Sequence, residues 1–421
     1  MISNPGYKEA YVWIWLPGET EPVVAGRLEA GNGQILFNYG RSYLERVNDS
    51  RPAIPIHEPE LPLTAGGLPL LNGLSMPGCI RDASPDAWGR RVIINKMLGL
   101  RGGGADTDEL DELTYLLESG SDRIGALDFQ QSPSEYVPRS AANAKLEELV
   151  QSADRVEQGM PLTPELDLAL LHGSSIGGAR PKALIEDGGV KYVAKFSSHS
   201  DVYNVIKAEF IAMRLAALSG LNVAPVQLIR AAGKDVLLVK RFDRILSDKG
   251  WTRKLMVSAL TLLGLDEMMA RYASYEDLAE IIRHRFSAPK QTLRELFKRL
   301  VFNVLCGNTD DHARNHAAFW DGKELTLTPA YDICPQGRTG NEASQAMLIS
   351  GNNNSSRLAT CLESAHNFLL SRAKARALAE ELQAAIEQHW DTVCDEAQLA
   401  EVDKRLLRGR QFFNPYSLTT Q

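Results

Sequence analysis

The chain has 421 residues, of which 44% are hydrophobic and 24% are charged, and its formal net charge is −7. This size and composition are typical of a globular enzyme of two or three domains, and the negative charge disfavours direct DNA binding by this chain alone. Five scattered cysteines without a Cys-x-x-Cys pair, no apolar run of roughly 18 residues and no secretory pattern at the start favour a cytoplasmic protein with no membrane contact.

Residues 1–112 predict a β-rich N-terminal module. Short apolar runs alternate with polar positions and are separated by Gly and Pro, which is typical of strands. These runs cover residues 11–15, 23–28 and 34–37. The segment 84–91 then predicts a helix that Ser84 caps, with Pro85 at the first helical position. The glycine run at 101–105 predicts a flexible joint, and we interpret the module as a docking surface for a partner or substrate.

The rest of the chain divides into three further parts. Residues 113–162 predict connecting helices and a polar loop, with a charged surface helix over 141–155. Residues 163–243 predict a small lobe with a glycine-rich loop; its elements are the strand 190–196, the helix 208–218 and the strand 236–239. Residues 244–421 predict a helical catalytic lobe, with helices over 254–264, 275–285, 290–306, 367–389 and 397–407. A β-rich part followed by a helix-rich part indicates an α+β fold with two lobes and a cleft.

Three features of the small lobe are consistent with phosphate binding. The glycine-rich segment 173–182 allows backbone N–H groups to approach phosphate oxygens, although it matches neither the P-loop nor the dinucleotide-binding pattern. Lys195 lies on a half-buried strand after this loop, where it could contact α- and β-phosphates or simply reach solvent. Glu209 begins the next helix, where it could orient Lys195 or only favour the helix dipole.

The strongest signal is the polar segment 308–316, followed by a second polar segment at 331–335. Asp310 and Asn315 are five residues apart, which is the spacing between the catalytic base and a Mg²⁺ ligand in protein kinases. Asp332 follows after a predicted hairpin of strands 317–320 and 325–327 and is a candidate for the second Mg²⁺ ligand. The sequence therefore predicts a catalytic base, Asp310, beside a magnesium site formed by Asn315 and Asp332.

Two other interpretations of the same segment remain open. Cys306, His312 and His316, with an aspartate, could form a zinc site, because a His-x₃-His spacing can place two imidazoles on one helical face. That arrangement would leave Asn308 and Asp310 without a role. The segment could also be an ordinary polar loop, although so many reactive side chains in nine residues are typical of functional sites.

The order of these motifs resembles the HipA toxin kinases. The matching residues are Ser175-Ile176-Gly177-Gly178-Ala179, Lys195, Glu209, Arg241-Phe242-Asp243-Arg244, Asp310 with His312 and Asn315, and Tyr331-Asp332. Residues 84–91 are similar to the N-terminal module of that family, so the resemblance spans nearly the whole chain. It implies a bilobal protein-kinase-like fold with a small β-rich N-terminal module and a mostly helical C-terminal lobe.

The resemblance implies ATP and Mg²⁺ as ligands and assigns a role to each motif residue. Asp310 would be the catalytic base, Asn315 and Asp332 would hold Mg²⁺, and Ser175, with Ser174 as the alternative, would be autophosphorylated. Glu209 would orient the phosphate-binding lysine. The residues implied to contact ATP are Ser175, Ile176, Gly177, Gly178, Ala179, Lys195, Lys240, Phe242, His312 and Asn315.

The resemblance also implies a biological setting. The chain would be a serine/threonine protein kinase toxin, neutralised by a small helix-turn-helix antitoxin like HipB that alone contacts DNA. Its protein substrate would be a translation factor such as an aminoacyl-tRNA synthetase. Two alternatives stay open: a small-molecule or lipid kinase of the same fold, because fold does not fix the acceptor, and a non-catalytic co-repressor subunit.

Overall fold

The computed structural model of the chain describes residues 6–98, 110–139, 145–160 and 178–419. The chain forms two compact units, each assembled from separate stretches of sequence. Unit 1 comprises Met1–Asp201, Ile229–Val257 and Trp320–Lys323, and unit 2 comprises Val202–Leu228, Ser258–Phe319 and Glu324–Gln421. Helices and strands occur in both units, which confirms the predicted α+β class. Within the described part of the chain, every helix is too short or too polar to cross a lipid bilayer.

The first sheet of unit 1 confirms the three strands predicted at the start of the chain. Its strands are β1 (Glu9–Ile14), β2 (Val23–Gly31), β3 (Gln34–Tyr39) and β4 (Leu127–Gln130), in the order β3-β2-β1-β4. Ala10, Val12 and Ile14 are fully buried, as the period-two alternation of a strand requires. The short strand β4 was not predicted, because four residues give too little alternation to distinguish a strand from a loop.

The helices of unit 1 are short, and one begins later than predicted. Within the described parts of this unit they are α1 (Arg41–Leu44), α2 (Gly78–Arg81), α3 (Ala87–Leu98), α4 (Glu112–Glu118) and α5 (Leu146–Glu157). The predicted cap of the third helix is wrong, because α3 starts two residues beyond Pro85. The Ser84 hydroxyl donates instead to the carboxylate of Glu112 at 3.2 Å. The predicted joint at 101–105 lies outside the described residues.

A second sheet lies largely in unit 1 and falls within the residue range predicted as the small lobe. It contains β5 (Lys182–Asp187), β6 (Val190–Phe196), β7 (Val226–Ala231) and β8 (Lys234–Lys240), in the order β5-β6-β8-β7. The expected solvated character of the helix near 141–155 is only partly correct. One face of α5 is buried in the core of this sheet through Leu149, Val150 and Ala153.

The chain after β8 departs from the predicted helix over 254–264. It forms the hairpin β9 (Arg244–Ser247) and β10 (Gly250–Arg253), then β11 (Leu255–Ser258) and only the short helix α7 (Ala259–Leu262). The reason is local, because the Ser258 side chain accepts a hydrogen bond from the Thr261 N–H and caps α7. A capping serine marks a helix start rather than a helix interior.

Unit 2 is mainly helical and includes two of the predicted helices almost unchanged. Among its described residues the helices are α6 (Val205–Leu218), α7, α8 (Tyr275–Arg285), α9 (Pro289–Cys306), α10 (Leu358–Glu363), α11 (Arg372–Glu396) and α12 (Glu401–Arg410). The predicted helices 367–389 and 397–407 are displaced, because Ser371 caps α11 with its side chain and the later helix begins after Ala400. The predicted hairpin is confirmed as β12 (Ala317–Trp320) and β13 (Leu325–Leu327).

Candidate functional site

The helix α9 delivers the chain to the predicted catalytic segment. Its C-terminal half is fully buried, and it ends at Gly307, whose φ of 73° lies in the left-handed region. A side chain at this position would place its Cβ 2.7 Å from the carbonyl oxygen of Gln411. Glycine is therefore required here, because it avoids both the left-handed strain and the clash.

The segment after Gly307 is held by its own backbone. The carbonyl oxygen of Asp310 accepts hydrogen bonds from the His312 N–H at 2.9 Å and from the Asn315 side-chain amide at 3.1 Å. A single 3₁₀ turn, Ala313–Asn315, closes the loop. Asn315 is buried while Asp310 is exposed, so the turn presents one carboxylate to solvent and anchors the amide beneath it.

Two hydrogen bonds bring the second polar segment to the first. The Tyr331 hydroxyl donates to the carbonyl oxygen of Arg314 at 2.7 Å. The Gln336 N–H donates to the carbonyl oxygen of Gly307 at 2.9 Å. These bonds flank Asp332 on both sides, and Asp332 itself has a φ of 60°, an uncommon conformation for a residue with a side chain. Such strain is frequent at functional sites.

The carboxylates of this loop are close enough to perturb each other. The side chain of Asp310 reaches solvent, but its partial burial raises the pKa of the carboxyl group. The charge of His312 acts in the opposite direction and lowers this pKa. The negative charges of Asp332 and Asp311 raise it. Two carboxylates that repel each other are stabilised by a cation placed between them. The structure thus brings Asp310, Asn315 and Asp332 together within unit 2.

A buried polar triad lies beneath the loop. The Tyr275 hydroxyl donates to Asp311, and Nε2 of His316 lies 3.0 Å from the other oxygen of the same carboxylate. Burial alone would raise the pKa of Asp311, but the His316 charge and these hydrogen bonds lower it below its ordinary value. All three side chains are almost inaccessible to solvent, so the triad fixes the backbone next to Asp310 from the inside.

The donor set suits Mg²⁺ and a nucleotide. Asn315 and Asp332 offer the amide and carboxylate oxygens that Mg²⁺ prefers. The ring nitrogen Nδ1 of His312 is buried without a hydrogen-bond partner among the described residues, and a bound ligand could supply one. These residues could therefore hold a magnesium-bound phosphate group.

The zinc alternative is not supported. Cys306 donates weakly to the carbonyl oxygen of Asn303, and His316 is engaged by Asp311. Among the described residues, a group of three possible metal ligands within 4.8 Å of one another occurs only at Asp154, Glu157 and His199 in unit 1. There the Lys234 ammonium already pairs with Asp154 at 2.5 Å.

Lys195 belongs to unit 1 and is 8% exposed. It lies on the central strand β6 opposite Lys182 of β5 and Leu237 of β8. The flanking residues Ala194 and Phe196 are part of the buried core of the sheet. A lysine at this position is held on a rigid strand rather than on a mobile loop, which contradicts the simple interpretation that its side chain extends freely into solvent.

Lys240 and Phe242, predicted to hold adenine, lie where β8 ends. Lys240 is exposed and Phe242 is half-buried. Arg241 between them is 4% exposed, and its N–H donates to the carbonyl oxygen of Lys191 at 2.9 Å. The backbone of this segment is thus anchored to β6.

A buried charge network holds the same segment, and sequence analysis did not predict its partner. Asp122, which lies between α4 and β4, accepts hydrogen bonds from Arg241 and Arg244, each at 3.0 Å. Asp243 accepts from both arginines and from the Gly125 N–H, at 2.8 to 2.9 Å. The available signal was the string Arg241–Arg244 directly after a buried strand, because buried charges require partners.

The remaining predicted residues lie either outside the described residues or in one of the two units. Ser174, Ser175, Ile176 and Gly177 lie outside the described residues. Gly178 and Ala179 are described and belong to unit 1. Glu209 is 1% exposed and lies in the second turn of α6 in unit 2, not at the helix start as predicted. Its helix begins at Val205 because Asn204 provides the cap.

Comparison with known proteins places this architecture in a family. The family model described as the HipA-like C-terminal domain matches residues 174–390, which is more than half of the chain. The model described as the HipA N-terminal domain matches residues 14–130. The first match includes most of the glycine-rich segment, Lys195 and the polar segments, and the second includes β2 to β4.

Individual relatives are more distant. The serine/threonine-protein kinase toxin HipA of Shewanella oneidensis is 26% identical over 186 residues, which are 38% of this chain and 42% of that protein. The matches span about a third to a half of the length of the curated relatives. A chain in the solved complex of HipA, HipB and operator DNA from the same organism superposes with a TM-score of 0.68 at 20% identity. That superposition covers 94% of this chain and 93% of the other, and it shows a shared fold. The chain therefore belongs to the HipA family.

Proposed function

We propose that this protein is a kinase that transfers the γ-phosphoryl group of ATP to a serine or threonine hydroxyl of another protein. The observation that carries the proposal is the convergence of Asp310, Asn315 and Asp332 in unit 2, with Asp332 close enough to raise the pKa of Asp310. A base beside two hard-oxygen ligands matches the requirements of phosphoryl transfer. Family membership supports the same reaction.

Each residue has a defined task in the proposed mechanism. Asp310, exposed at the end of its loop, orients the acceptor hydroxyl and accepts its proton. Asn315 and Asp332 hold Mg²⁺, which neutralises charge on the phosphates when it is bound. Lys195 contacts the phosphates from its rigid strand, and His312 lies beside the nucleotide. Transfer depends on positioning and electrostatics, because no covalent enzyme intermediate is required.

The remaining assignments complete the proposal. Lys240 to Phe242 hold adenine, and Glu209 orients the phosphate-binding lysine. Ser175, or alternatively its neighbour Ser174, is autophosphorylated. A phosphate there adds about −1.5 to −2 charges near those of ATP and lowers nucleotide affinity. Mass spectrometry of active protein tests this assignment, and a fully phosphorylated Ser175 in a sample that still binds ATP would contradict it.

We also propose a small helix-turn-helix antitoxin like HipB as a partner. A HipA-family fold and the solved complex of a relative with HipB and operator DNA support this proposal. The net charge of −7 supports DNA contact through the partner rather than through this chain. An aminoacyl-tRNA synthetase is the proposed kind of protein substrate, because its phosphorylation would stall translation.

One experiment tests the reaction and identifies the acceptor. The purified protein and its Asp310→Ala variant are each incubated with labelled ATP, Mg²⁺ and a cell lysate. We expect labelled proteins only with the wild type, and their identification by mass spectrometry names the substrate. Equal labelling by the variant would refute the role of Asp310. Labelled small molecules or lipids without labelled protein would favour the alternative acceptor class.

A further inference from the structure

The segment 84–91, which sequence analysis singled out in the N-terminal module, contacts the start of the small-lobe sheet. The carboxylate of Asp86 accepts a hydrogen bond from the Gly178 N–H at 2.5 Å, and the Trp88 N–H donates to the Gly178 carbonyl oxygen at 3.3 Å. The Arg91 guanidinium donates to the carbonyl oxygen of Ala179 at 2.6 Å. Both partners of these bonds belong to unit 1.

The contacted residues lead directly to the predicted phosphate-binding strand. The Trp88 indole N–H donates to the carbonyl oxygen of Lys182 at 3.1 Å. Lys182 is the register partner of Lys195, and the Phe196 N–H donates to the carbonyl oxygen of Pro181. The helix α3 thus contacts Lys182, and Lys182 is paired directly with Lys195, the lysine of the proposed nucleotide site.

Trp88 and the two charged residues differ in what they contribute. Trp88 is fully buried and belongs to the same core cluster as Tyr192, Ala194 and Phe196. Its removal would damage the fold of the sheet. Asp86 and Arg91 are half-buried, and the bonds that they make to this segment go to backbone atoms of Gly178 and Ala179. Their removal would release this backbone without opening a cavity in the core.

Gly178 needs this external support. Its φ of 106° lies in the left-handed half of conformational space, where glycine carries no penalty but also provides no rigidity. The ammonium nitrogen of Lys182 lies 2.2 Å from the position that a Cβ of residue 178 would occupy, so any other residue would displace it. The conformation is therefore set by what binds the Gly178 backbone.

We propose that Asp86 and Arg91 of the N-terminal module are positioning residues for nucleotide binding, because they fix Gly178 and Ala179 at the entry to the strands that carry Lys182 and Lys195. This inference rests on the proposed kinase function. It gives the N-terminal module a task inside the nucleotide lobe, separate from any docking of a partner. The charged pair acts through the backbone and does not touch the nucleotide.

The test compares Asp86→Ala with a matched control, Asp111→Ala. Asp111 lies in the same unit and also accepts a hydrogen bond from a backbone N–H, that of Thr114 at 2.8 Å, where it caps α4. We expect Asp86→Ala to raise the KM for ATP and the Kd of a non-hydrolysable ATP analogue about tenfold, the order of one lost charge-assisted hydrogen bond. The kcat should change less than about threefold. Asp111→Ala should lower the melting temperature and leave KM unchanged.

Two further variants keep the result interpretable. Asp86→Asn retains an acceptor oxygen and should restore most of the affinity. Arg91→Ala should raise the KM in the same direction, including in the case where Asp86→Ala does not fold. If Arg91→Ala leaves the KM for ATP and the Kd of the analogue unchanged, the positioning role is overturned, whatever Asp86→Ala shows. A wild-type protein that binds no nucleotide would instead overturn the proposed function itself.

Discussion

The Asp122 carboxylate accepts a hydrogen bond from Nη1 of Arg241 at 3.0 Å, although 119 residues separate the two in the chain. Arg241 lies between Lys240 and Phe242, the proposed adenine-binding segment. Its guanidinium is almost completely buried, as is that of Arg244. The loop between α4 and β4 therefore supplies a negative charge that helps two arginines to be buried beside the proposed adenine-binding segment.

The first prediction concerns the stability that Asp122 provides. Asp122→Asn removes one partner of a buried charge network, so we expect the free energy of unfolding to fall by about 3 kcal/mol at pH 7. Thermal unfolding at neutral pH measures this change. Asp248→Asn, an exposed change in the turn of the β9–β10 hairpin, is the matched control and should leave the melting temperature unchanged.

The second prediction concerns the pH dependence of the same network. Burial alone would raise the pKa of Asp122 and of Asp243. The charges of Arg241 and Arg244 outweigh this effect, so the pKa of Asp122 lies well below its ordinary value and the pKa of Asp243 lies below its own. A group with a lowered folded-state pKa stabilises the protein above its unfolded pKa of about 3.9, and this stability is lost as pH falls through the folded value.

We therefore expect the melting temperature to hold between pH 7 and about 5 and to fall below about pH 4. The deficit of Asp122→Asn relative to the wild type should shrink in the same acidic range, because the wild type then loses the same charge. Thermal unfolding at a series of pH values measures both. A deficit that grows on acidification would contradict the proposed charge state of Asp122.

The third prediction concerns Gly307, where α9 turns into the loop of Asp310. Gly307→Ala combines a left-handed backbone with a Cβ 2.7 Å from the Gln411 carbonyl oxygen, so we expect a loss of at least about 1–2 kcal/mol of stability. Phosphoryl transfer should fall as well, since the loop must shift. Gly409→Ala is the control: it meets nothing within 4 Å and lies in the helix α12, so it should stabilise by about 0.5–1 kcal/mol. Equal effects of the two changes would refute the strain at Gly307.

The fourth prediction compares Tyr275, which belongs to the buried triad, with an exposed tyrosine. Tyr275→Phe leaves the buried carboxylate of Asp311 without one donor, which we expect to reduce stability by about 1–3 kcal/mol. Tyr272→Phe, three residues earlier and 50% exposed, should have no measurable effect. Chemical denaturation of both variants measures the difference, and an unaffected Tyr275→Phe variant would contradict the stabilising role of this hydroxyl.

The fifth prediction separates chemistry from folding at Asp310. Asp310→Asn keeps the shape of the side chain but cannot accept a proton, so we expect phosphoryl transfer to fall by about 10²–10⁴-fold. The melting temperature should stay close to that of the wild type, because the side chain is exposed. Asp403→Asn, an exposed change on α12, controls for the loss of a negative charge in unit 2 and should retain full activity.

Local features were predictable from the sequence, and distant contacts were not. The hairpin between Asn315 and Asp332 is one such local feature, because spacing and turn residues were sufficient to predict it. Trp88 could not be assigned in this way, because apart from Val92 the buried residues of its core cluster lie 61 or more positions later, from Leu149 onward. No periodicity within a window of 11–18 residues contains such information.

The wrong prediction of a helix over residues 254–264 also arose because a short window of sequence does not show its distant neighbours. Leu255–Ser258 contains an apolar run of only three residues, and such a short run is ambiguous between a strand and a helix until its neighbours are known. The roles of the predicted site residues and the four-part division of the chain at 112, 162 and 243 stay predictions. Their tests are the variants described above.

The segmented composition of the two units also constrains how the chain can fold during synthesis. The chain passes from one unit to the other five times, and the last piece of unit 1 is Trp320–Lys323. That piece is fixed in its unit by the Trp320 indole, which donates to the Pro55 carbonyl oxygen at 2.9 Å. Unit 1 therefore cannot be completed until residue 323 has been synthesised, although its first sheet needs only the residues up to Gln130. A nascent chain of this kind is a natural client for chaperones.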